Sequence, residues 1–186
     1  KKKIFLIGNY DLIDQQFKKL KIKLKITQIQ NLYQHSFSSN IKIINVPLSF
    51  KNPFKVSFKD ASKYLIRSLH LANKLAKGKD IKGIINCPID KKLIKKTNNV
   101  GVTEFFASIS KITDNSEIMM IYNKSLSVVP LTTHIDLKNI PKKITKKLII
   151  KKVDSLNKNF KKIFKKKPRI GILGLNPHNG ELRENS

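Results

Sequence analysis

The chain has 186 residues, of which 40% are hydrophobic, and a formal net charge of +27. This apolar fraction can bury a core, so the composition argues against global disorder in spite of the charge. No apolar run is long enough to cross a bilayer, which argues against a membrane protein. The single cysteine, Cys87, excludes an internal disulfide and favours a reducing compartment, with the cytoplasm as the expected location.

The excess positive charge is typical of nucleic-acid-binding proteins. Here it consists almost entirely of lysine, and Arg67, Arg169 and Arg183 are the only arginines. Arginine makes the bidentate contacts to phosphate and guanine that such proteins use, and the lysines are spread along the whole chain. The charge therefore favours a solvated surface that attracts anionic metabolites. A lysine-rich nucleic-acid-binding protein stays the non-enzymatic alternative.

The start of the chain predicts short strands around a helix. Helical spacing of apolar residues over 11–19 predicts the helix, with Asp11 as its N-cap. Residues 48–58 include Pro53 and alternate poorly, so they are expected to form a loop. The strands follow from short apolar runs that end at strand-breaking residues, at 3–8, 24–29 and 41–46.

Two longer patterns predict amphipathic helices. Apolar residues recur at helical spacing over 60–77, and Gly78 follows as a helix-ending residue. The same spacing continues over 140–164. Thr103 is expected to cap a short helix over 104–110.

Continuous apolar runs predict further strands at 81–87, 118–122, 127–131 and 169–175. A turn-like sequence at 123–125 joins two of these runs into a hairpin. Because the runs are continuous and alternate with helices, they indicate a parallel sheet that is covered on both faces. The predicted fold is a three-layer α/β/α architecture with a mostly parallel sheet, in which 81–87, 127–131 and 169–175 lie together.

His134 and His178 each follow a predicted strand directly. Ligands of parallel α/β sheets bind at the carboxyl ends of the strands, and two imidazoles brought together there can bind a divalent metal. Two ligands are too few for a complete site, so a third must come from elsewhere. The alternative is that each histidine only forms a hydrogen bond to a loop carbonyl.

The segment Gly101-Val102-Thr103-Glu104 precedes a predicted helix, whose first backbone N–H groups can bind an anion such as phosphate. The alternative for Thr103 is a plain helix cap. Cys87 has no basic partner beside it and is expected to be a buried structural thiol. The sequence contains neither G-x-G-x-x-G nor a Walker A motif, so a Rossmann fingerprint and a P-loop are both excluded.

Four segments, taken in order, resemble the 4-hydroxythreonine-4-phosphate dehydrogenase family. The last of them is long and specific, and the resemblance is clear from about Ile81 to Glu181. The four are Cys87-Pro88-Ile89-Asp90-Lys91, Gly101-Val102-Thr103-Glu104, Leu131-Thr132-Thr133-His134 and Leu173-Gly174-Leu175-Asn176-Pro177-His178-Asn179-Gly180-Glu181.

The resemblance implies a fold like that of isocitrate and isopropylmalate dehydrogenases, which bind NAD or NADP without the Rossmann fingerprint. It implies oxidation and decarboxylation of 4-phosphooxy-L-threonine, a phosphorylated hydroxy amino acid, to 3-amino-2-oxopropyl phosphate in pyridoxal phosphate biosynthesis. A divalent metal (Zn, Mg or Co) would act as a Lewis acid. The resemblance places metal ligands at His134 and His178, and substrate binding at Thr103 and Val102.

The same resemblance implies a homodimer whose active site is completed across the subunit interface. The apolar hairpin within 118–129 is predicted to lie at the dimer contact, because its own turn cannot cover its apolar side chains.

Two positions depart from the family pattern. Val102 stands where the family has a substrate-contacting histidine, and Leu182-Arg183 stands where it often has two glycines. The missing hydrogen-bond donor at Val102 keeps open a related metal-dependent decarboxylating dehydrogenase that acts on another hydroxy acid. The family's N-terminal loop and its C-terminal part, with the third metal histidine, have no counterpart in this sequence. Residues 1–186 are therefore expected to be a partial dehydrogenase chain, inactive by itself.

Overall fold

The computed structural model describes residues 4–33, 40–97, 101–112 and 116–174. The chain, which the sequence presents as one domain, divides into two compact units, Lys1–Lys111 and Ile112–Ser186. A parallel sheet lies in the first unit and one long helix in the second. Within the described ranges, no helix is long and apolar enough to cross a membrane.

The sheet of the first unit consists of β1 (Phe5–Gly8), β2 (Ile26–Ile29) and β3 (Ile41–Asn45). The strand order is β1-β3-β2, and both pairs are parallel, with Leu6 of β1 opposite Ile43 of β3. Ile43 is fully buried because it lies on the central strand. The three strands predicted in this part of the sequence are confirmed.

Helix α1 (Tyr10–Lys19) begins directly after β1. Its N-cap is Asn9, whose side-chain oxygen accepts the backbone N–H of Leu12 at 2.9 Å. The predicted cap, Asp11, lies inside the first turn, so that prediction is wrong. The reason is that Asn9 has the extended backbone that a cap requires, whereas Asp11 is already helical.

Helix α2 (Phe58–Ala76) confirms the amphipathic helix predicted from the sequence and begins slightly earlier. Ser57 caps it: the Ser57 hydroxyl accepts the backbone N–H of Asp60 at 3.1 Å and donates to the Asp60 carboxylate at 2.6 Å. This reciprocal pair satisfies a helix N–H that would otherwise be unpaired. The loop predicted before the helix, which contains Pro53, is also confirmed.

The core of the first unit forms between α2 and the two helices that follow it. Its buried residues are Leu69, Ile94 and Phe105. They come respectively from α2, from the 3₁₀ helix Lys91–Thr97 and from α3 (Val102–Ile109). Because Phe105 is anchored in this cluster, the N-terminal turn of α3 is held in place.

In the second unit, helix α5 (Lys146–Phe164) is preceded by the short helix α4 (Ile140–Lys143). The single helix predicted over 140–164 is therefore interrupted. The break occurs because Thr145 has an extended backbone and its hydroxyl accepts the N–H of Leu148 at 3.1 Å, which starts a new helix.

Helix α5 holds the segment that leads into the predicted hairpin. Lys152 of α5 is buried, and its ammonium donates to the backbone carbonyl of Glu117 and, at 3.2 Å, to the Glu117 carboxylate. Ser155 donates to the carbonyl of Ser116 at 2.7 Å. A buried ammonium is tolerated at this position because charged and neutral acceptors are both supplied.

The hairpin itself is formed at one point only. Ile121 and Val128 exchange backbone hydrogen bonds of 2.9 and 3.0 Å in an isolated antiparallel bridge. Ring stacking of Tyr122 on Phe164 of α5, with centroids 4.9 Å apart, fixes one end of the turn. The predicted hairpin is thus confirmed in its position but not as two regular strands.

Two of the other predicted strands are absent from the described part of the chain. Residues 81–90 and 167–174 have no regular secondary structure, and Ile85 and Leu173 are 90% and 93% exposed. An apolar run forms a strand only where a neighbouring strand pairs with its backbone groups, and no described strand does so here. The prediction that these runs share one sheet is wrong for the described residues.

Candidate functional site

The N-terminal turn of α3 is the predicted anion site. Its N-cap is Gly101 and not Thr103, so the predicted capping role of Thr103 is wrong. Thr103 is the second residue of the helix and lies in its first turn, with an exposed side chain. A Cβ on Gly101 would lie 2.9 Å from a carboxylate oxygen of Glu104, which is the end of a flexible side chain that can move away, so space alone does not require a glycine at the cap. The exposed Thr103 side chain therefore lies in the same turn as the first backbone N–H groups of α3, which have no intrahelical acceptor.

Val102, the first residue of α3, is half-buried. Its side chain packs against the core cluster of Leu69, Ile94 and Phe105. The position at which the resemblance places a substrate-contacting histidine is therefore engaged in apolar packing. Thr103 is the exposed polar side chain of this turn.

His134 lies in the second unit, on an exposed loop before the 3₁₀ turn Leu137–Asn139. Its backbone is left-handed, with a φ of 55°. Non-glycine residues adopt this conformation rarely, and such residues are concentrated at functional sites. Lys21, Lys111 and Lys165 share this conformation, so it does not by itself assign a function to His134.

A metal site is not formed by the described residues alone. His178, the second predicted ligand, lies outside them, and no three His, Cys, Asp or Glu side chains within them come close enough to hold a metal ion. Thr103 belongs to the first unit and His134 to the second. One imidazole does not make a metal site, so His134 would need ligands from outside the described residues.

Cys87 is exposed, so the prediction of a buried structural thiol is wrong. That prediction assumed a buried strand over 81–87, and the strand is not formed. With no strand around it, the thiol is left on an irregular surface segment.

A polar network closes the carboxyl end of the sheet. The N–H of Val46 donates to the carbonyl of Gly8 at 2.8 Å, and the Asn9 side chain donates to the carbonyl of Val46 at 3.1 Å. The side chain of Asn45 accepts the N–H of Tyr10 at 2.9 Å. The ends of β1 and β3 are therefore connected by hydrogen bonds. Two backbone N–H groups in the first turn of α1 are accepted by the side chains of Asn9 and Asn45.

Tyr64 of α2 joins this network from the side. Its hydroxyl oxygen accepts the backbone N–H of Asn9 at 3.0 Å. Burial raises the pKa of Tyr64, and the bond from the Asn9 N–H opposes that rise only in part. A Cβ on Gly8 would lie 3.2 Å from the Tyr64 hydroxyl and 3.0 Å from Ile13, so the glycine permits this close approach.

A cavity of about 450 Å³ opens beside Tyr64. Its walls are the segment that follows β3 and the first turns of α2. The lining residues are Pro47, Leu48, Ser49, Asp60, Lys63, Tyr64 and Arg67.

The sequence interpretation did not single out Asn9, Asn45 or Tyr64. The signal for Asn9 is its position directly after Gly8, at the end of the first predicted strand. Helical spacing places Tyr64 on the apolar face of its helix and does not show that its hydroxyl has a partner. The hydrogen bond to Asn9 spans 55 positions of the chain and is visible only in the folded structure.

The sequence is similar to known dehydrogenases. The 4-hydroxythreonine-4-phosphate dehydrogenase of Aquifex aeolicus (strain VF5) is 38% identical over 169 residues, which cover 88% of this chain and 50% of the relative. A protein of Oceanobacillus iheyensis named "Putative D-threonate 4-phosphate dehydrogenase" is 27% identical over 185 residues, 95% of this chain and 54% of the relative. The chain thus spans about half the length of the curated relatives it matches.

The structure is similar as well. It matches the crystal structure of a 4-hydroxythreonine-4-phosphate dehydrogenase from Klebsiella pneumoniae with a TM-score of 0.78 at 25% identity, over 94% of this chain and 55% of that chain. This likeness confirms the predicted three-layer α/β/α fold class. Residues 1–184 match the family described as "Pyridoxal phosphate biosynthetic protein PdxA". The chain therefore belongs to the PdxA family of pyridoxal phosphate biosynthetic proteins.

Proposed function

We propose that this chain is part of an NAD- or NADP-dependent dehydrogenase that oxidises and decarboxylates 4-phosphooxy-L-threonine in vitamin B6 synthesis. The observation that carries the proposal is the family match over residues 1–184. Relatives named 4-hydroxythreonine-4-phosphate dehydrogenase support oxidation of this substrate. The proposal concerns a whole enzyme, to which this chain contributes about half of the length of its relatives. We place that enzyme in the cytoplasm, because the one cysteine of this chain cannot form a disulfide within it.

In the proposed enzyme, the N-terminus of α3 binds an anionic group of the substrate. Helix N-termini favour phosphate and carboxylate because their first N–H groups have no intrahelical acceptor and the helix dipole is positive there. The N-cap Gly101 has no side chain, and the nearest side-chain group is the carboxylate of Glu104 in the same turn, which a substrate anion would have to displace. The exposed hydroxyl of Thr103 supplies a further hydrogen-bond donor in the same turn.

We assign His134 and His178 as two ligands of a divalent metal, which would supply Lewis-acid chemistry at the substrate hydroxyl. Support for His134 comes from the family match and from its position on an exposed loop. Imidazole nitrogens suit Zn and Co better than Mg, which prefers oxygen ligands.

A second copy of the chain is the proposed partner of the hairpin. Several of its apolar side chains are exposed, and Ile121 and Leu126 are 65% and 74% accessible. Met119 and Val128 are exposed on the same hairpin. Apolar side chains grouped in this way are typical of a protein–protein contact. We propose that part of 118–129 lies at a homodimer interface, close to His134.

The test is a chimera that joins residues 1–186 to the remaining half of the Aquifex aeolicus relative. It should form NADH or NADPH with 4-phosphooxy-L-threonine, whereas residues 1–186 alone should be inactive. The intact Aquifex aeolicus enzyme is the positive control. A folded chimera that binds the cofactor yet does not turn over this substrate would contradict the proposed reaction.

A related dehydrogenase acting on another phosphorylated hydroxy acid is the second candidate. Val102 favours it, because its side chain packs into the core and offers no hydrogen bond to a substrate amino group. D-threonate 4-phosphate, a hydroxy acid without that amino group, is the matching second substrate for the same chimera. A higher kcat/KM with D-threonate 4-phosphate would support the second candidate over the first.

A further inference from the structure

The cavity beside Tyr64 lies where a parallel sheet offers a binding position. One wall, Pro47 to Ser49, follows the carboxyl end of β3, and the other is the start of α2. Ligands of open α/β sheets bind outside the carboxyl ends of the strands. At about 450 Å³ the cavity is large enough for a small metabolite.

The cavity presents two cations. Lys63 and Arg67 lie one helical turn apart on α2, and both are exposed. Neither forms an ion pair with a residue in the described ranges. Asp60, the carboxylate in the lining, accepts the Ser57 hydroxyl at 2.6 Å. Like charges at this spacing on a helix repel, so an anion held between Lys63 and Arg67 would relieve that repulsion.

Hydroxyl groups complete the set of donors. The oxygen of Tyr64 is occupied by the Asn9 N–H, so its own hydrogen is left to donate. Ser49, whose side chain carries a hydroxyl, lines the opposite wall. A guanidinium, an ammonium and two hydroxyls around one cavity are the donors that recognise an oxyanion.

The cavity and the core occupy opposite faces of α2. At 3.6 residues per turn, Asp60, Lys63, Tyr64 and Arg67 fall on one side of the helix. Leu65 and Leu69, which pack toward Phe105 of α3, fall on the other side. A ligand in the cavity would therefore be separated from the N-terminus of α3 by the thickness of α2.

We propose that this cavity is a second anion-binding site, which takes the phosphate or carboxylate group of a small metabolite between Lys63 and Arg67. Arg67 forms the paired hydrogen bonds to two oxygens of the anion, and Lys63 contributes a point charge. Tyr64 and Ser49 donate to the remaining oxygens. The site is additional to the proposed substrate position at Thr103.

The proposal is tested on the full chain by isothermal titration calorimetry with inorganic phosphate, at an ionic strength held constant with KCl. Saturable binding of phosphate is expected. Arg67→Gln should weaken it by about tenfold or more, because a bidentate charge-assisted contact is lost. Lys74→Gln is the matched control, since it removes the same charge from the same helix two turns beyond Arg67, outside the cavity lining. It should change the affinity by less than about twofold.

Equal weakening by Arg67→Gln and Lys74→Gln would show that phosphate responds only to the net charge and would overturn the proposal. Absence of saturable phosphate and acetate binding to the unmodified chain would do the same. Acetate serves as the second probe: tighter binding of acetate assigns the cavity to carboxylates, and tighter binding of phosphate assigns it to phosphate esters. The readout is binding alone, so it is independent of dehydrogenase activity.

Discussion

The hydroxyl oxygen of Tyr64 accepts the backbone N–H of Asn9 at 3.0 Å, which ties helix α2 to the carboxyl end of β1. Asn9 is buried, so an N–H without this acceptor would be unpaired away from water. One side chain therefore fixes the distance between a strand end and a helix, and it also forms part of the cavity wall.

Tyr64→Phe should lower the free energy of unfolding by about 1–3 kcal/mol, because it leaves the Asn9 N–H unsatisfied. Urea unfolding measures the loss. Tyr122→Phe is the control: the Tyr122 ring stacks on Phe164, but its hydroxyl forms no hydrogen bond with a described residue. Equal stability of the two variants would refute the role of the bond.

The same pair predicts a pH dependence. The pKa of Tyr64 is raised above its ordinary value of 10.0, chiefly by burial. As the pH rises above about 10, the unfolded state loses this proton before the folded state does. Deprotonation therefore favours the unfolded state, and the free energy of unfolding falls. Above about pH 10, the free energy of unfolding should fall more steeply with pH for the unmodified chain than for Tyr64→Phe. Parallel curves would contradict the raised pKa.

Gly8→Ala should destabilise the first unit by about 1–3 kcal/mol, because the added Cβ would crowd Ile13 at 3.0 Å and the Tyr64 hydroxyl at 3.2 Å. Gly83→Ala is the matched control, since a Cβ there meets no atom within 4 Å. The midpoint of urea unfolding measures both changes. If both variants unfolded at the same midpoint, the close approach at Gly8 would not be important for stability.

Thr103→Ala should lower kcat/KM of the chimera by about tenfold or more, because a hydrogen bond to the charged substrate is lost. The far-ultraviolet circular dichroism should not change, since the Thr103 side chain is exposed and does not cap α3. Ser108→Ala, an exposed position near the end of the same helix, should leave kcat/KM unchanged. A similar loss in both variants would mean that Thr103 acts through the helix and not on the substrate.

His134→Ala and His178→Ala should each remove bound metal and activity together from the chimera. Loss of one imidazole from a three-ligand site leaves too few donors to retain the metal. Metal content after dialysis measures this directly, independently of turnover. His70→Ala, on α2 beside Phe105, is the histidine control and should keep its metal. Full metal content in either of the first two variants would show that the assigned ligand is wrong.

Met119→Asp should convert the proposed dimer into monomers and abolish activity of the chimera, because a charge would be buried in an apolar contact. Sedimentation velocity measures the change in mass. Leu137→Asp places the same charge on another exposed apolar residue of the same unit, outside the hairpin, and should leave the dimer intact. An intact Met119→Asp dimer would count against the hairpin contact.

The sequence by itself determined the elements whose partners are near in the chain. The apolar runs of β1, β2 and β3 pair with one another, and the pattern of α2 faces a core made by the segments that follow it. It also determined the family, because four motifs occur in the family's order, and that resemblance is what implies roles for Thr103 and His134.

Tertiary structure decided which apolar runs form strands and which partners Tyr64 has, because both depend on groups that are distant in the chain. The run 81–87 has the composition of a strand, yet a strand exists only where another one pairs with its backbone, and none of those described does so. Backbone conformation, which residue type does not fix, made Asn9 the cap instead of Asp11. The sequence places Tyr64 on the apolar face of its helix. Only the fold brings its hydroxyl to the end of β1 and forms the cavity beside it.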